Sequence, residues 1–109
     1  MININDFDKL DLRIGTILKA ELLENAKTHA YILEIDLGKL GIKRSSAQIT
    51  DLYQPSDLVG KQIVAVVNLL PKKIADITSE VLVLGANNVD RAVVLLEPQK
   101  NIPNGAKVG

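Results

Sequence analysis

The chain has 109 residues, a length that predicts one domain spanning residues 1–109 with a modest core. Thirteen basic and thirteen acidic side chains leave no formal net charge, so bulk charge cannot hold a polyanion and any such binding needs local clustering. With no cysteine and one histidine, His29, the chain excludes disulfides, thiol nucleophiles and thiolate or multi-histidine metal centres; no metal or cofactor site is expected.

The opening Asn5-Asp6-Phe7-Asp8-Lys9-Leu10 predicts a short helical turn capped by Asn5, with Phe7 and Leu10 pinned to the core. From Leu12 the period becomes two: Leu12, Ile14, Leu18, Ala20 and Leu22 share one face, Arg13, Lys19 and Glu21 the other, and Ile17 falls off the pattern. Gly15 suggests a bend or bulge in this long strand. A polar turn at residues 24–28 leads to a strand in which Tyr31, Leu33, Ile35 and Leu37 alternate with Glu34 and Asp36. Gly38 and Gly41 bracket the next turn, and a third strand over residues 42–49 places Arg44, Ser46 and Gln48 on one face, Ala47 and Ile49 on the other. Residues 54–60 read as one helical turn, with Pro55 near the start and Gly60 just past the end. Strands follow at residues 62–70, 80–84 and 92–96, stopped by Pro71, turned by Asn87-Asn88 and ended by Pro98. Beyond a turn at residues 102–105, Lys107-Val108 offers a short final pairing.

A helical turn between the third and fourth of at least five strands, with the first strand long and bent, predicts an all-β, OB-fold Greek-key barrel with short extra strands and short helical turns. The runs Ile63-Val64-Ala65-Val66-Val67, Val81-Leu82-Val83-Leu84 and Val93-Val94-Leu95-Leu96 are apolar on both faces. One face fills the barrel; the other needs a cover, either a second copy in a homodimer or the chain's own termini. No apolar run reaches the roughly 20 residues that span a bilayer and no signal-peptide pattern opens the chain, so a cytoplasmic protein without membrane insertion is expected.

For catalysis the sequence offers little. His29 lies in a polar turn, no strained-turn signature surrounds a serine, and no glycine-rich phosphate loop is present, so the chain reads as a non-enzyme with no catalytic residue. The basic residues are more informative. Lys43-Arg44 opens the third strand and Lys72-Lys73 follows Pro71. In an OB-fold those strands and that loop form the nucleic-acid face. Arg44 supplies a fork-shaped cation for phosphate, Ser46 and Gln48 supply hydrogen-bonding groups, and Lys72 and Lys73 add charge at the rim. A solvated polar face is the competing reading, strengthened by Glu34 and Asp36 on the neighbouring strand. Asn68 and Glu80 are further candidates, equally explained as a strand-end amide and a partner for Lys72 or Lys73. With only Phe7, Tyr31 and Tyr53, the chain cannot build the stacking platform of single-strand binders, where each base contributes about 1–3 kcal/mol. Phosphates and shape remain as the means of recognition.

These segments resemble the family of tRNA-binding domains found at the C-terminus of bacterial methionyl-tRNA synthetases and in free-standing dimers. The resemblance rests on Asp11-Leu12-Arg13-Ile14-Gly15-Thr16-Ile17, on Leu58-Val59-Gly60-Lys61-Gln62-Ile63, on Val66-Val67-Asn68-Leu69 with Pro71 and Lys73, and on Ser79-Glu80. Within that family the chain is similar to the CsaA-type export-related chaperones, through Ser45-Ser46-Ala47-Gln48-Ile49-Thr50, Ser79-Glu80-Val81-Leu82-Val83-Leu84-Gly85 and the ending Pro103-Asn104-Gly105 with Lys107-Val108-Gly109. The resemblance implies an OB-fold homodimer that binds tRNA, and a second role in holding unfolded presecretory proteins for the export machinery. By position it assigns Arg44, Ser45, Ser46, Asn68, Lys73, Ser79 and Glu80 to tRNA-facing segments. The chain departs from the broader pattern at residues 24–30, at Ala47, at Ala75-Asp76, where the family carries Arg-Gly, and at Val81-Leu82.

Overall fold

In the computed structural model, which describes residues 1–24 and 27–109, the alternation from Leu12 becomes strand β1 (Leu12–Leu22). It is preceded by α1 (Ile4–Phe7), whose cap is Asn3 rather than Asn5. The Asn3 side chain accepts from the Asp6 N–H and the Asp6 carboxylate accepts from the Asn3 N–H, so Asp6 closes a reciprocal cap two residues earlier than the sequence suggests. Leu10 is exposed, not a core anchor. The polar turn expected at residues 24–28 falls partly outside the described residues.

β1 corrects the simple alternation. Its pairing with β2 (Tyr31–Asp36) slips between Ile17 and Lys19, an irregularity centred on Leu18. The extra residue reverses the phase of the side chains. Ile17, off the pattern in sequence, is therefore wholly buried, whereas Leu18 and Leu22 are exposed. Gly15 is not the bulge but a close approach. A Cβ there would stand 2.6 Å from Ile35 Cγ2 and 2.7 Å from Leu37 Cδ2.

The main sheet runs in the order β3-β2-β1-β4-β7, with β3 (Ile42–Ala47), β4 (Gln62–Val66) and β7 (Leu82–Val83). Four strands are shorter than the sequence predicts. The third ends at Ala47, the fourth at Val66, the run at residues 80–84 supplies only Leu82–Val83, and that at residues 92–96 only Val93–Leu95. Two hairpins complete the barrel: β5 (Lys72–Ile74) with β6 (Ile77–Ser79), which the sequence reading missed, and β8 (Gly85–Asn87) with β9 (Val93–Leu95). Asn88 shapes the latter turn, its side-chain oxygen accepting from the N–H groups of Asp90 and Ala92. The expected all-β OB-type barrel is thus present, built from more and shorter strands.

Inside it, Ile17, Leu33, Ile35, Leu37, Leu58 and Ile63 are wholly buried. Leu58 comes from α2 (Pro55–Leu58), the expected helical turn, capped by Gln54 and Asp57. The chain leaving α2 hooks onto β1 where the pairing slips: the Gly60 N–H donates to the Ile17 carbonyl and the Ile17 N–H to that of Lys61, at 2.8 and 2.9 Å. Tyr31 and Tyr53 serve as struts. The Tyr31 hydroxyl donates to the Tyr53 carbonyl, and the Tyr53 hydroxyl accepts from the Leu95 N–H.

The C-terminal segment locks the barrel from outside. β10 (Lys107–Val108) pairs with β1 as expected. Asn104 accepts from the Thr16 hydroxyl at 2.7 Å, and Gln62 bonds both backbone groups of Ile102. This docking needs a glycine on the opposing turn, because a Cβ on Gly38 would collide with the Asn104 carbonyl. Gly38 and Gly41 share positive φ (65° and 85°), yet nothing lies within 4 Å of a Cβ on Gly41. Gly41→Ala is expected to cost about 1–3 kcal/mol through backbone strain alone, since φ 85° with ψ −168° is a conformation essentially reserved for glycine. Gly38→Ala adds a clash with the Asn104 carbonyl and is expected to cost about 2–4 kcal/mol in urea unfolding and to speed hydrogen exchange at the Gly105 amide, which bonds to Ile14. Exchange at Gly105 that quickens as much in Gly41→Ala would contradict this packing of the C-terminal segment.

Candidate nucleic-acid interface

β3 ends the main sheet, so its outer edge would present unpaired backbone groups. Ser79 and Glu80 lie along it. The Glu80 N–H donates to the Arg44 carbonyl at 2.8 Å, and Glu80 Oε1 accepts from the Arg44 N–H at 3.1 Å. Ser79 Oγ accepts from the Ser46 N–H at 3.0 Å. Side-chain oxygens here replace the carbonyls of a missing strand, and the barrel closes without a full ladder. The other Glu80 oxygen lies 3.8 Å from Lys43 Nζ, so one carboxylate braces both the backbone and a cation.

Register then decides where each candidate side chain goes. In β2–β3, Lys43 pairs with Ile35 and Ser45 with Leu33, both core positions, whereas Arg44 pairs with Glu34 and Ser46 with Ile32 on the outer face. Lys43 therefore turns inward. It lines a hollow of about 340 Å³ together with Asp11, Leu37, Val67 and Glu80. Ser45 is wholly buried and donates to the Ser46 carbonyl. Arg44 and Ser46 stay on the outer face. Glu34, opposite Arg44, also pairs with Lys19 in β1, giving the row Lys19–Glu34–Arg44 across three strands.

The two neighbouring lysines separate for the same reason. Lys72 pairs with Ser79 and Lys73 with Thr78, so they project from opposite faces of the β5–β6 ribbon. Lys72 faces a groove of about 420 Å³ that Ser46, Gln48, Ser79 and Glu80 also line. Lys72 is the one cation among its lining residues. Lys73 points away from it. The floor and far wall are aliphatic, with Ile49, Val81, Val83 and Leu95 below and Leu69 and Leu70 at the side. Asn68 lies apart: its side chain accepts from the Asp11 N–H at 2.8 Å and donates to the Lys9 carbonyl at 2.7 Å, tying the N-terminal turn to the end of β4.

The structure thus brings Ser46, Gln48, Lys72, Ser79 and Glu80 to one groove and leaves Arg44 beside it on the same face of β3. Lys43, Ser45, Asn68 and Lys73 are elsewhere. The aliphatic lining was read from sequence only as core or dimer surface. The hairpin that carries Lys72 has little local signal: Lys72-Lys73-Ile74 is poor in strand formers, and its turn is Ala75-Asp76 with Ala75 at φ 53° instead of glycine. His29 is exposed, as expected.

Glu80→Ala is expected to lower stability by about 1 kcal/mol and to speed hydrogen exchange at the Arg44 amide. Unchanged exchange at that amide would show that the carboxylate does not close the edge in solution.

A family model described as "Putative tRNA binding domain" matches residues 12–107. The chaperone CsaA of Bacillus anthracis superposes with a TM-score of 0.95 at 55% identity, covering 100% of this chain and 99% of that one. CsaA of Picrophilus torridus gives 0.94 at 46% identity, with 100% of both chains covered. The methionine–tRNA ligase of Pyrococcus horikoshii is 37% identical over 107 residues, which are 98% of this chain and 14% of that protein. The chain spans roughly a seventh of the curated ligases it matches.

Proposed function

The chain belongs to the tRNA-binding domain family, its residues 12–107 matching that family's model, and on that premise we propose that it is a non-catalytic, cytoplasmic tRNA-binding protein of one domain. The observation that carries the reading is the seam of the barrel, where Lys72 faces Ser46 and Gln48 across one groove and Arg44 stands alongside. One ammonium and one guanidinium beside hydrogen-bonding groups suit phosphate and sugar contacts, which position an RNA by its backbone and shape. Ser79 and Glu80 support the site by holding the β5–β6 hairpin against β3. Family position would add Ser45, Asn68 and Lys73 to the tRNA-facing set, but Ser45 is wholly buried and Asn68 ties Asp11 to Lys9, so of these Lys73 is the one exposed to a ligand. The expected behaviour is tRNA affinity that falls steeply with salt. In a titration at two salt concentrations, Arg44→Ala/Lys72→Ala should weaken binding and reduce the salt slope by about 2, one unit for each lost phosphate contact. Lys73→Ala should act less. A flat salt dependence in the wild type would defeat this reading.

A second reading has its own support. Val94 and Leu96 are nearly half exposed. They alternate with Val93 and Leu95, which line the groove, so the two side chains share the opposite, outer face of the β8–β9 region. So much apolar surface on one face suits a second copy, with an apolar cleft left for segments of unfolded preproteins on their way to export. The CsaA structures, named as chaperones, favour it. Val94→Lys/Leu96→Glu is expected to convert a dimer to a monomer in analytical ultracentrifugation. A wild-type monomer at micromolar concentration would remove the dimer.

A further inference from the structure

We propose that the groove at the β3–β6 seam takes a single unpaired nucleotide of an RNA: the base lies on the aliphatic floor, Gln48 and Ser46 bond its edge, and Lys72 holds its phosphate. The inference rests on the RNA reading above and adds to it a base-sized subsite that phosphate and shape recognition does not require.

Size and chemistry both favour this occupant. A hollow of about 420 Å³ lies within the ordinary range for small-ligand pockets and cannot admit a duplex. Its floor, Ile49, Val81, Val83 and Leu95, contains no aromatic ring, so it offers a flat base burial without stacking. The lining residues divide by whether their polar groups are already committed. Ser79 Oγ accepts from the Ser46 N–H and Glu80 from the Arg44 N–H, with Lys43 beside its second oxygen. Among the described residues, the side chains of Gln48, Ser46 and Lys72 have no such bond. They are left to face a ligand: an amide and a hydroxyl for a base edge, and a cation for an anion.

Charge complementarity selects the nucleotide over an extended apolar peptide. Glu80, the groove's carboxylate, is occupied by a backbone donor and Lys43, which leaves Lys72 as the groove's open charge, with Arg44 on the adjoining face. A peptide would fill the floor and leave that ammonium without a partner. A nucleoside monophosphate uses the floor, the amide and the ammonium together.

The test is methyl NMR of the full chain with the four ribonucleoside 5′-monophosphates at millimolar concentration, beside free nucleosides, inorganic phosphate, an extended apolar peptide and total tRNA. The monophosphates should shift the methyl signals of Val81, Val83 and Leu95, nucleosides should shift them more weakly, and phosphate alone should not. Gln48→Ala and Lys72→Ala should each weaken the monophosphate response about fivefold. Because both side chains are exposed, these variants keep the core intact; the wild-type shift map stands independently of them. Total tRNA that binds while all four monophosphates leave those methyls unmoved overturns this inference and spares the RNA reading. No tRNA binding at low salt overturns both. A peptide that moves the methyls where nucleotides do not assigns the groove to preproteins and overturns the inference alone.

Discussion

The outer edge of β3 is the constraint from which the rest of the site follows. A barrel of short strands must satisfy every edge or leave open backbone groups in water, where they recruit other strands. Here the chain closes the gap with two residues. Ser79 and Glu80 offer side-chain oxygens to the Arg44 and Ser46 amides and one backbone bond to Arg44. Side chains reach further than a ladder, so the β5–β6 hairpin lies against β3 without merging into the sheet. The closure ends where β3 ends, at Ala47, and the groove opens beside it. Barrel closure and the groove are therefore two consequences of one unfinished ladder.

The same contacts explain how a chain with no net charge presents a positive rim. A free carboxylate in the groove would cancel Lys72. Glu80 instead spends one oxygen on the Arg44 amide and places the other near Lys43, which the strand register has already turned inward. One acid and one base are thereby withdrawn together. Arg44 keeps Glu34 opposite it, and Lys19 on the other side of Glu34 pairs with Glu21 at 3.1 Å, so that row is balanced and the groove's positive charge rests on Lys72. Over distances shorter than the Debye length, about 10 Å at 0.1 M ionic strength, such local arrangement outweighs the overall total.

Much of the fold was legible because the strands in the middle of the chain bury one face. Tyr31, Leu33, Ile35 and Leu37 alternate in sequence and all are buried. The glycine turn after them and the proline-led helical turn at Pro55 read equally well, since each depends on a backbone conformation that few residues favour. What failed depended on events with no local signature. The slip at Leu18 lies where β1 passes from β4 to β2, and its one trace in residues 12–22 is Ile17, an apolar residue off the alternation. The run at residues 62–70 was overextended because apolar residues line a groove as readily as they form a strand, and Leu69 and Leu70 do the former. Of the candidate site residues, alternation and charge pointed to Ser46, Gln48 and Lys72, which line one groove. Each basic pair is split, because adjacent residues in a strand face opposite ways, so Lys43 and Lys73 lie off that groove.

The structural use of the aromatic residues bears on what the groove can hold. Tyr31 and Tyr53 are engaged in hydrogen bonds within the barrel, and Phe7 lies under the chain's last residue, so no ring remains to stack a run of bases. An aliphatic floor gains from any apolar body that covers it and discriminates weakly among them. Selection then falls to the rim, where a few polar groups with fixed positions reject ligands that leave them unpaired. A preprotein segment and an RNA base would compete for the same floor, and thermodynamic linkage makes that exclusion reciprocal. Under the nucleotide proposal Lys72 would break the tie: an ammonium that a peptide leaves solvated would gain a phosphate partner, and the preference it confers would weaken as salt screens the pair.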